Sequence, residues 1–183
     1  MNQDQVAVLG YGVTGASVVR HLLRKDITPV VLDTRAAPAQ TDADVEIRWQ
    51  TERWPDLSVA CAVVSPGLEL DSCLVAGARR AGIPLVSDID LFFDAVQAPV
   101  IGVTGTNGKS TVTALAGHLL NSAGESAGVG GNLGVAALDI IDEAHTSYVL
   151  ELSSFQLERS RAHPFHAATV LNITEDHLDK HGD

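Results

Sequence analysis

Basic residues are few in this sequence of 183 residues: 12 Lys and Arg stand against 23 Asp and Glu, which gives a formal net charge of −11. Such an acidic chain does not offer the broad positive surface that binds nucleic acid or an anionic membrane. We therefore predict neither partner. Any phosphate group must be held locally, by backbone amides, by a single side chain or by a metal ion.

Cysteines and long apolar runs are also scarce. The two cysteines, Cys61 and Cys73, lack the C-x-x-C spacing of redox and zinc motifs, and Cys61 lies in an apolar run typical of a buried, reduced thiol. No stretch approaches the roughly 18 consecutive apolar residues that span a membrane, and the first residues show no secretory signal. These absences predict a protein of the reducing cytoplasm with no membrane insertion.

Short apolar runs alternate with segments of helix length. The chain opens with an apolar run at Val6–Leu9, helical spacing over 16–23 and a second run at 29–32, which is a βαβ pattern. This alternation predicts an α/β fold of mainly parallel sheets, covered on both faces. Further strands are predicted at 62–64, 84–86, 100–103, 148–150 and 168–171.

The pattern restarts near residue 98. Ser87 and Asp90 have the spacing of a capping box and predict a helix start, and the residues 97–99 end that helix. A new strand, a second glycine-rich loop and a new helix follow. We predict two units: a Rossmann-like, parallel-sheet domain over 1–95, and an incomplete P-loop α/β ATPase domain of about three strands over 96–183.

Gly10, Gly12 and Gly15 form a glycine-rich loop between a predicted strand and a predicted helix. Glycines there allow a close backbone approach to a phosphate, which the helix N-terminus favours. The alternative is a plain strand-to-helix turn, but the acidic Asp33 about 20 residues further on favours nucleotide binding. The kind of nucleotide stays open, because Asp33 suits the ribose of NAD whereas Arg35 adds a cation.

A second loop, Gly105–Thr111, carries a Gly-Lys-Ser element between a strand and a helix. In that setting backbone amides cradle phosphates, the Lys109 ammonium lies at the β- and γ-phosphates, and the Ser110 hydroxyl reaches Mg²⁺. The spacing departs from the usual motif, because Val103 stands where the first glycine is expected. The sequence nevertheless predicts ATP binding.

Other polar residues follow predicted strands, where ligands of α/β sheets bind. Glu151 is placed to be a magnesium ligand, although a carboxylate there is also typical of a helix start. His177 lies in a polar segment that begins at Asn172, and its spacing from other histidines matches no common zinc site. Residues 128–132 are predicted to form a flexible turn, in which Asn132 either contacts a ligand or caps a helix.

Taken in order, these motifs resemble the Mur ligases of peptidoglycan precursor synthesis. The resemblance extends from residue 6 to residue 179, nearly the whole chain. It rests on eight segments: Gly10–Gly15, Asp33–Arg35, Ser65–Leu68, Asp88–Phe92, Gly105–Thr111, Gly130–Asn132, Glu151–Gln156 and Asn172–His177.

The resemblance implies an ATP-dependent amide ligase that adds D-glutamate to UDP-N-acetylmuramoyl-L-alanine through an acyl phosphate. It implies a cytoplasmic monomer that uses ATP and Mg²⁺, with Lys109, Glu151 and His177 as catalytic residues. The first loop then binds UDP rather than NAD. Implied contacts are Val13, Thr14, Asp33, Thr34 and Arg35 for uridine; Ser65, Pro66 and Gly67 for the diphosphate; Asn132 and Ser153 for the rest of that substrate; Gly105, Thr106, Asn107, Gly108, Lys109, Ser110 and Thr111 for ATP; and Ser110, Glu151 and His177 for metal.

Members of that family continue beyond the match, with a third domain and a carbamylated lysine downstream of the histidine motif. Lys180 is too close to His177 to replace that lysine, so we expect the 183-residue piece to lack ligase turnover by itself. The alternative function is a non-catalytic nucleotide-binding module for a UDP-sugar or NAD.

Overall fold

The first parallel sheet is built from five strands. The computed structural model describes residues 5–38, 45–132 and 134–176. In these residues the sheet has the order β3-β2-β1-β4-β5, and each neighbouring pair is parallel. Its strands are β1 Val6–Leu9, β2 Val30–Leu32, β3 Ile47–Arg48, β4 Cys61–Val64 and β5 Leu85–Val86.

Three helices belong to this part of the chain: α1 Val13–Leu23, α2 Cys73–Arg80 and α3 Asp88–Ala95. The predicted capping box of α3 is confirmed, because the Ser87 hydroxyl accepts from the Asp90 amide at 3.0 Å and Asp90 accepts from the Ser87 amide at 2.7 Å. Both residues are buried. The cap therefore fixes where α3 begins.

The second parallel sheet has the order β7-β8-β6-β9. Its strands are β6 Val100–Thr104, β7 Ala127–Gly131, β8 Ser147–Glu151 and β9 Ala167–Val170, and its helices are α4 Lys109–Ser122 and α5 Ser154–Arg159. Every residue of β8 is buried. No helix in the described ranges is both long and apolar enough to span a bilayer.

The prediction of a flexible turn at 128–132 is wrong for most of its length, since β7 runs parallel to β8 through Gly131. Glycine is needed there for space rather than for flexibility: a Cβ on Gly128 would lie 2.7 Å from the Tyr148 ring. Glycine-rich strands carry little of the β-branched signal from which strands are predicted. The second sheet consequently has four strands in the described residues, not three.

One hydrophobic core runs across both sheets. It contains Val8 and Val63 of the first sheet, Phe92 of α3, and Tyr148 and Leu150 of the second sheet. A 3-10 helix over Ala137–Asp139 packs against both α1 and α3. The predicted α/β class with parallel sheets is confirmed, whereas the domain boundary near residue 95, between α3 and β6, stays a prediction.

Asp88, the buried first residue of α3, makes the free energy of unfolding depend on pH. Burial raises its pKa to about 6 from an ordinary 3.8. The folded state therefore holds the Asp88 proton more tightly than the unfolded chain does. As a result, the free energy of unfolding falls as the pH rises from about 4 to about 6, and it stays lowered at higher pH. We expect Asp88→Asn to raise the free energy of unfolding by about 1–2 kcal/mol near pH 8 and to change it little near pH 4.

Urea titrations of the variant and the parent chain at both pH values would measure this difference. The variant must be compared with the parent chain at each pH, because His21 also titrates in this range. Burial lowers the pKa of His21 to about 4, so its contribution makes the stability of both chains rise with pH. Asp94→Asn is the matched control, since Asp94 lies on the same helix but is exposed. A loss of stability in Asp88→Asn near pH 8 would contradict the prediction.

Candidate functional site

The first glycine-rich loop joins β1 to α1 at the carboxyl edge of the first sheet. Gly12 is the N-cap residue of α1 and supplies no side-chain hydrogen bond to the helix. A Cβ on Gly15 would run into the carbonyl oxygen of Gly10, so the loop packs closely only with glycine there. Because no side chain caps α1, its first backbone N–H groups can donate hydrogen bonds to an anion.

This loop borders a cavity of about 400 Å³. The predicted uridine and diphosphate residues all line it, so the structure brings them together from three separate loops. Their roles as ligands stay predictions. The lining residues are Gly10, Gly12, Val13, Thr14, Asp33, Thr34, Arg35, Ser65, Pro66, Gly67 and Leu68.

Asp33 organises one side of this cavity. Its buried carboxylate accepts from the Tyr11 amide at 2.6 Å and the Arg35 amide at 2.8 Å, and it pairs with the Arg35 guanidinium at 2.7 and 3.0 Å. Burial alone would raise the pKa of Asp33, but the hydrogen bonds from Arg35 and Tyr11 outweigh it and lower the pKa. Four donors fill the roughly four acceptor positions of a carboxylate, so Asp33 serves to fix the exposed Arg35.

The Ser65–Leu68 loop forms the opposite side. The Ser65 hydroxyl donates to the Gly10 carbonyl at 2.8 Å, and the Leu68 amide donates to the Ser65 carbonyl at 3.0 Å. A hydrogen-bonded turn is therefore attached directly to the first glycine-rich loop. Both loops meet where parallel sheets bind ligands.

The second glycine-rich loop joins β6 to α4. Lys109 is the first residue of α4, and its ammonium donates to the carbonyls of Gly105 at 2.7 Å and Thr106 at 2.9 Å. Asn107 and Gly108 are exposed in the loop, whereas Ser110 and Thr111 lie in the first helical turn. The ammonium is thus held next to the loop in which a phosphate would lie.

Asn172 holds this loop from the far side, a role that the sequence reasoning missed. Its side chain accepts from the Asn107 amide at 2.8 Å and donates to the Asn107 carbonyl at 2.9 Å, and its carbonyl accepts from the Thr106 amide at 3.1 Å. Thr174 adds a hydrogen bond to the Thr106 hydroxyl at 3.0 Å. The sequence signal that could have indicated this role is the position of Asn172 shortly after β9, at the edge of the sheet where the loop also lies.

The loop opens into a second cavity of about 520 Å³. Three predicted ATP residues line it together with Asn132 and Ser153, the two residues predicted to contact the substrate beyond its diphosphate. Glu151, Asn107, Gly108, Ser110 and Thr111 do not line it. The lining residues are Thr104, Gly105, Thr106, Lys109, Asn132, Ser153, Ser154, Phe155, Leu157, Asn172, Ile173, Thr174, Glu175 and Asp176.

Glu151 ends β8 as a buried carboxylate, and its Oε1 accepts from the Asn132 amide nitrogen at 3.0 Å. Together with the half-buried Ser110 hydroxyl it offers the hard oxygen ligands that Mg²⁺ prefers. Within the described ranges there is no group of three or more His, Cys, Asp or Glu that could hold a metal. Mg²⁺ sites in phosphate-binding enzymes commonly use one or two carboxylates together with substrate phosphates and water. His177 lies outside the described residues, so its predicted catalytic and metal roles stay predictions.

Two glycine-rich strand-to-helix loops on two parallel sheets are typical of α/β proteins that bind nucleotides. Two family models match the chain: residues 4–87 match the MurD-like N-terminal domain of Mur ligases, and residues 103–183 match the Mur ligase middle domain. The chain belongs to the Mur ligase family. The predicted resemblance is thereby confirmed.

Named relatives agree with this assignment. The chain is 44% identical over 185 residues to the UDP-N-acetylmuramoylalanine–D-glutamate ligase of Salmonella paratyphi A, covering 98% of this chain and 42% of the relative. It is 46% identical over 184 residues to the same-named ligase of Aliivibrio salmonicida, covering 96% and 41%. The chain thus spans about two fifths of the length of these relatives.

A solved structure supports the fold. The UDP-N-acetylmuramate:L-alanyl-gamma-D-glutamyl-meso-diaminopimelate ligase of Neisseria meningitides matches with a TM-score of 0.60 and 17% identity, over 99% of this chain and 64% of that one. At this identity the match shows the fold alone.

Proposed function

We propose that this chain is the nucleotide-binding part of a cytoplasmic ATP-dependent amide ligase that adds D-glutamate to UDP-N-acetylmuramoyl-L-alanine. One observation carries the proposal: the phosphate loop with Lys109 and the predicted substrate residues Asn132 and Ser153 line one cavity. Ligation requires the substrate carboxylate beside the γ-phosphate, because that carboxylate must receive the phosphoryl group before the amine of D-glutamate displaces phosphate. A cavity that both sets of residues line supports this proximity.

In the proposed reaction, one cavity binds ATP and the acyl end of the UDP-substrate, and the other cavity binds the uridine diphosphate end. The loop Gly105–Thr111 binds the phosphates of ATP, and Lys109 donates to the phosphoryl oxygens as negative charge develops there. Arg35, held by Asp33, contacts the uridine end of the other substrate, and Ser65–Gly67 binds its diphosphate. Ser153 and Asn132 orient the acyl end near the γ-phosphate.

Mg²⁺ supplies charge neutralisation at the phosphates when it is bound. Ser110 and Glu151 would hold one ion, and His177 a second. Asn132 donates to Glu151 and so fixes the orientation of this carboxylate.

The saturated carboxylate of Asp33 argues against a direct contact with ribose, whether of uridine or of NAD, so Asp33 would act on a bound nucleotide through Arg35. An acidic residue at this position of an NAD site accepts from the ribose hydroxyls. Here the Tyr11 amide and three Arg35 donors already occupy the carboxylate. A ribose contact at Asp33 would have to displace one of them.

Calorimetric titration of the chain with UDP-N-acetylmuramoyl-L-alanine, a non-hydrolysable ATP analogue with Mg²⁺, and NAD tests the proposal. We expect the first two to bind and NAD not to bind. Asp33→Asn should weaken binding of the UDP-substrate by about tenfold, because it loosens Arg35, and leave the ATP analogue unaffected. Binding of NAD alone would refute the proposal.

A further inference from the structure

α5 lines the cavity of the phosphate loop and is hydrogen-bonded to a loop that lines the other cavity. Its N-cap residue Ser153 lines the cavity of the phosphate loop, and its last residue, Arg159, reaches the first sheet's side of the molecule. The helix has six residues, which corresponds to a length of about 9 Å.

Arg159 joins α5 to the Ser65–Leu68 loop. One guanidinium nitrogen donates to the Leu68 carbonyl at 2.7 Å, and another donates to the Phe155 carbonyl within α5, also at 2.7 Å. These two donors span from the helix to the turn that lines the first cavity. The far end of that turn is attached to Gly10 through Ser65, so Arg159 completes its support.

The burial of Arg159 needs a reason other than stability. Only 6% of its side chain is exposed, and its Nε has no hydrogen-bond partner in the described residues. Of the carboxylates that favour its charge, Glu158 is half exposed at 3.6 Å and Asp88 is buried. Removing a guanidinium from water costs several kcal/mol, and apolar residues of similar volume are often as stable. What an apolar side chain cannot do is hold two carbonyls at a fixed separation, which the planar guanidinium does.

A second contact keeps α5 from shifting. The Gln156 side chain forms the capping box of α5 with Ser153 and also donates to the buried Asp88 carboxylate of α3 at 3.1 Å. The helix is therefore attached to the first unit at two points, one turn apart. Because Gln156 holds α5 independently of Arg159, the guanidinium sets the position of the Leu68 carbonyl rather than following it.

We propose that Arg159 is a positioning residue that holds the Ser65–Leu68 loop in the conformation that binds the diphosphate of the nucleotide substrate. This inference rests on the proposed function and adds to it a residue that touches neither substrate. Because Arg159 acts on one loop, its loss should affect the UDP-substrate and not ATP.

The test compares Arg159→Met with Arg161→Met by calorimetric titration with UDP-N-acetylmuramoyl-L-alanine and with the ATP analogue. Arg161 is the matched control, since it lies two residues away and pairs with Asp90 and Asp94 of α3 rather than with the loop. We expect Arg159→Met to weaken binding of the UDP-substrate by about tenfold, while both variants keep ATP affinity within about twofold of the parent.

Arg159→Lys keeps the charge but reaches one carbonyl instead of two, so its UDP-substrate affinity should fall between those of the parent and Arg159→Met. If Arg159→Met does not fold, a Lys variant with parental affinity overturns the inference. So does parental UDP-substrate affinity in a folded Arg159→Met, or an equal loss for both ligands. A parent chain that binds no UDP-substrate overturns the proposed function, and the inference with it.

Discussion

Lys109→Met should weaken binding of the ATP analogue by at least about 100-fold, the largest change in ligand affinity that we expect from one substitution in this chain. Lys109 is the one basic side chain among the described residues that line its cavity, while Glu175 and Asp176 are acidic. With a net charge of −11 the chain has no broad positive field to replace it. Without Lys109 the phosphates lose their direct cationic partner.

Calorimetry with the ATP analogue and Mg²⁺ measures this effect. Lys25→Met is the control, because it removes the same charge from an exposed position next to α1. Affinity for the UDP-substrate should be unchanged in both variants, since that ligand is expected in the other cavity. Parental ATP affinity in Lys109→Met would show that the loop does not bind phosphates in the proposed way.

Seven of the nine strands found in the described residues could be predicted from the sequence, because each is a short run of apolar, mostly β-branched residues. The two that were missed fail for different physical reasons. β3 has only Ile47 and Arg48, both half-buried, so it carries no hydrophobic pattern. β7 is rich in glycine because close neighbours fill the space where side chains would be: the Tyr148 ring at Gly128, and the Val135 carbonyl oxygen at Gly130. Its stability comes from packing that is distant in the sequence.

Those parts of the candidate site that local sequence motifs place could be predicted. Lys109 follows a glycine-rich loop after one strand, and Asp33 directly follows another strand. The sequence therefore places both at a sheet edge. It does not show which loops meet across the molecule. The hydrogen bonds of Asn172 to Asn107 and of Arg159 to Leu68 join residues 65 and 91 positions apart, and neither belongs to a local motif.

The junction between the sheets is the least predictable part and has the largest expected effect on stability. Phe92 is completely buried, and its ring meets Phe93 edge-to-face at 5.8 Å and Tyr148 at 5.2 Å. Tyr148 belongs to β8, so Phe92 connects α3 to the second sheet. Phe92→Ala should lower the free energy of unfolding by about 3–5 kcal/mol, because it leaves a cavity that both sheets line.

Urea unfolding followed by two signals tests this role. Both tryptophans, Trp49 and Trp54, lie in the first unit, so fluorescence reports that unit, whereas far-UV circular dichroism reports both. In the parent chain the shared core should make the two transitions coincide. Phe93→Ala is the matched control: Phe93 is only half-buried and stacks on His163 at 4.4 Å, so a smaller loss is expected. An equal loss in the two variants, or separate transitions in the parent, would mean that the core at Phe92 does not unite the two sheets.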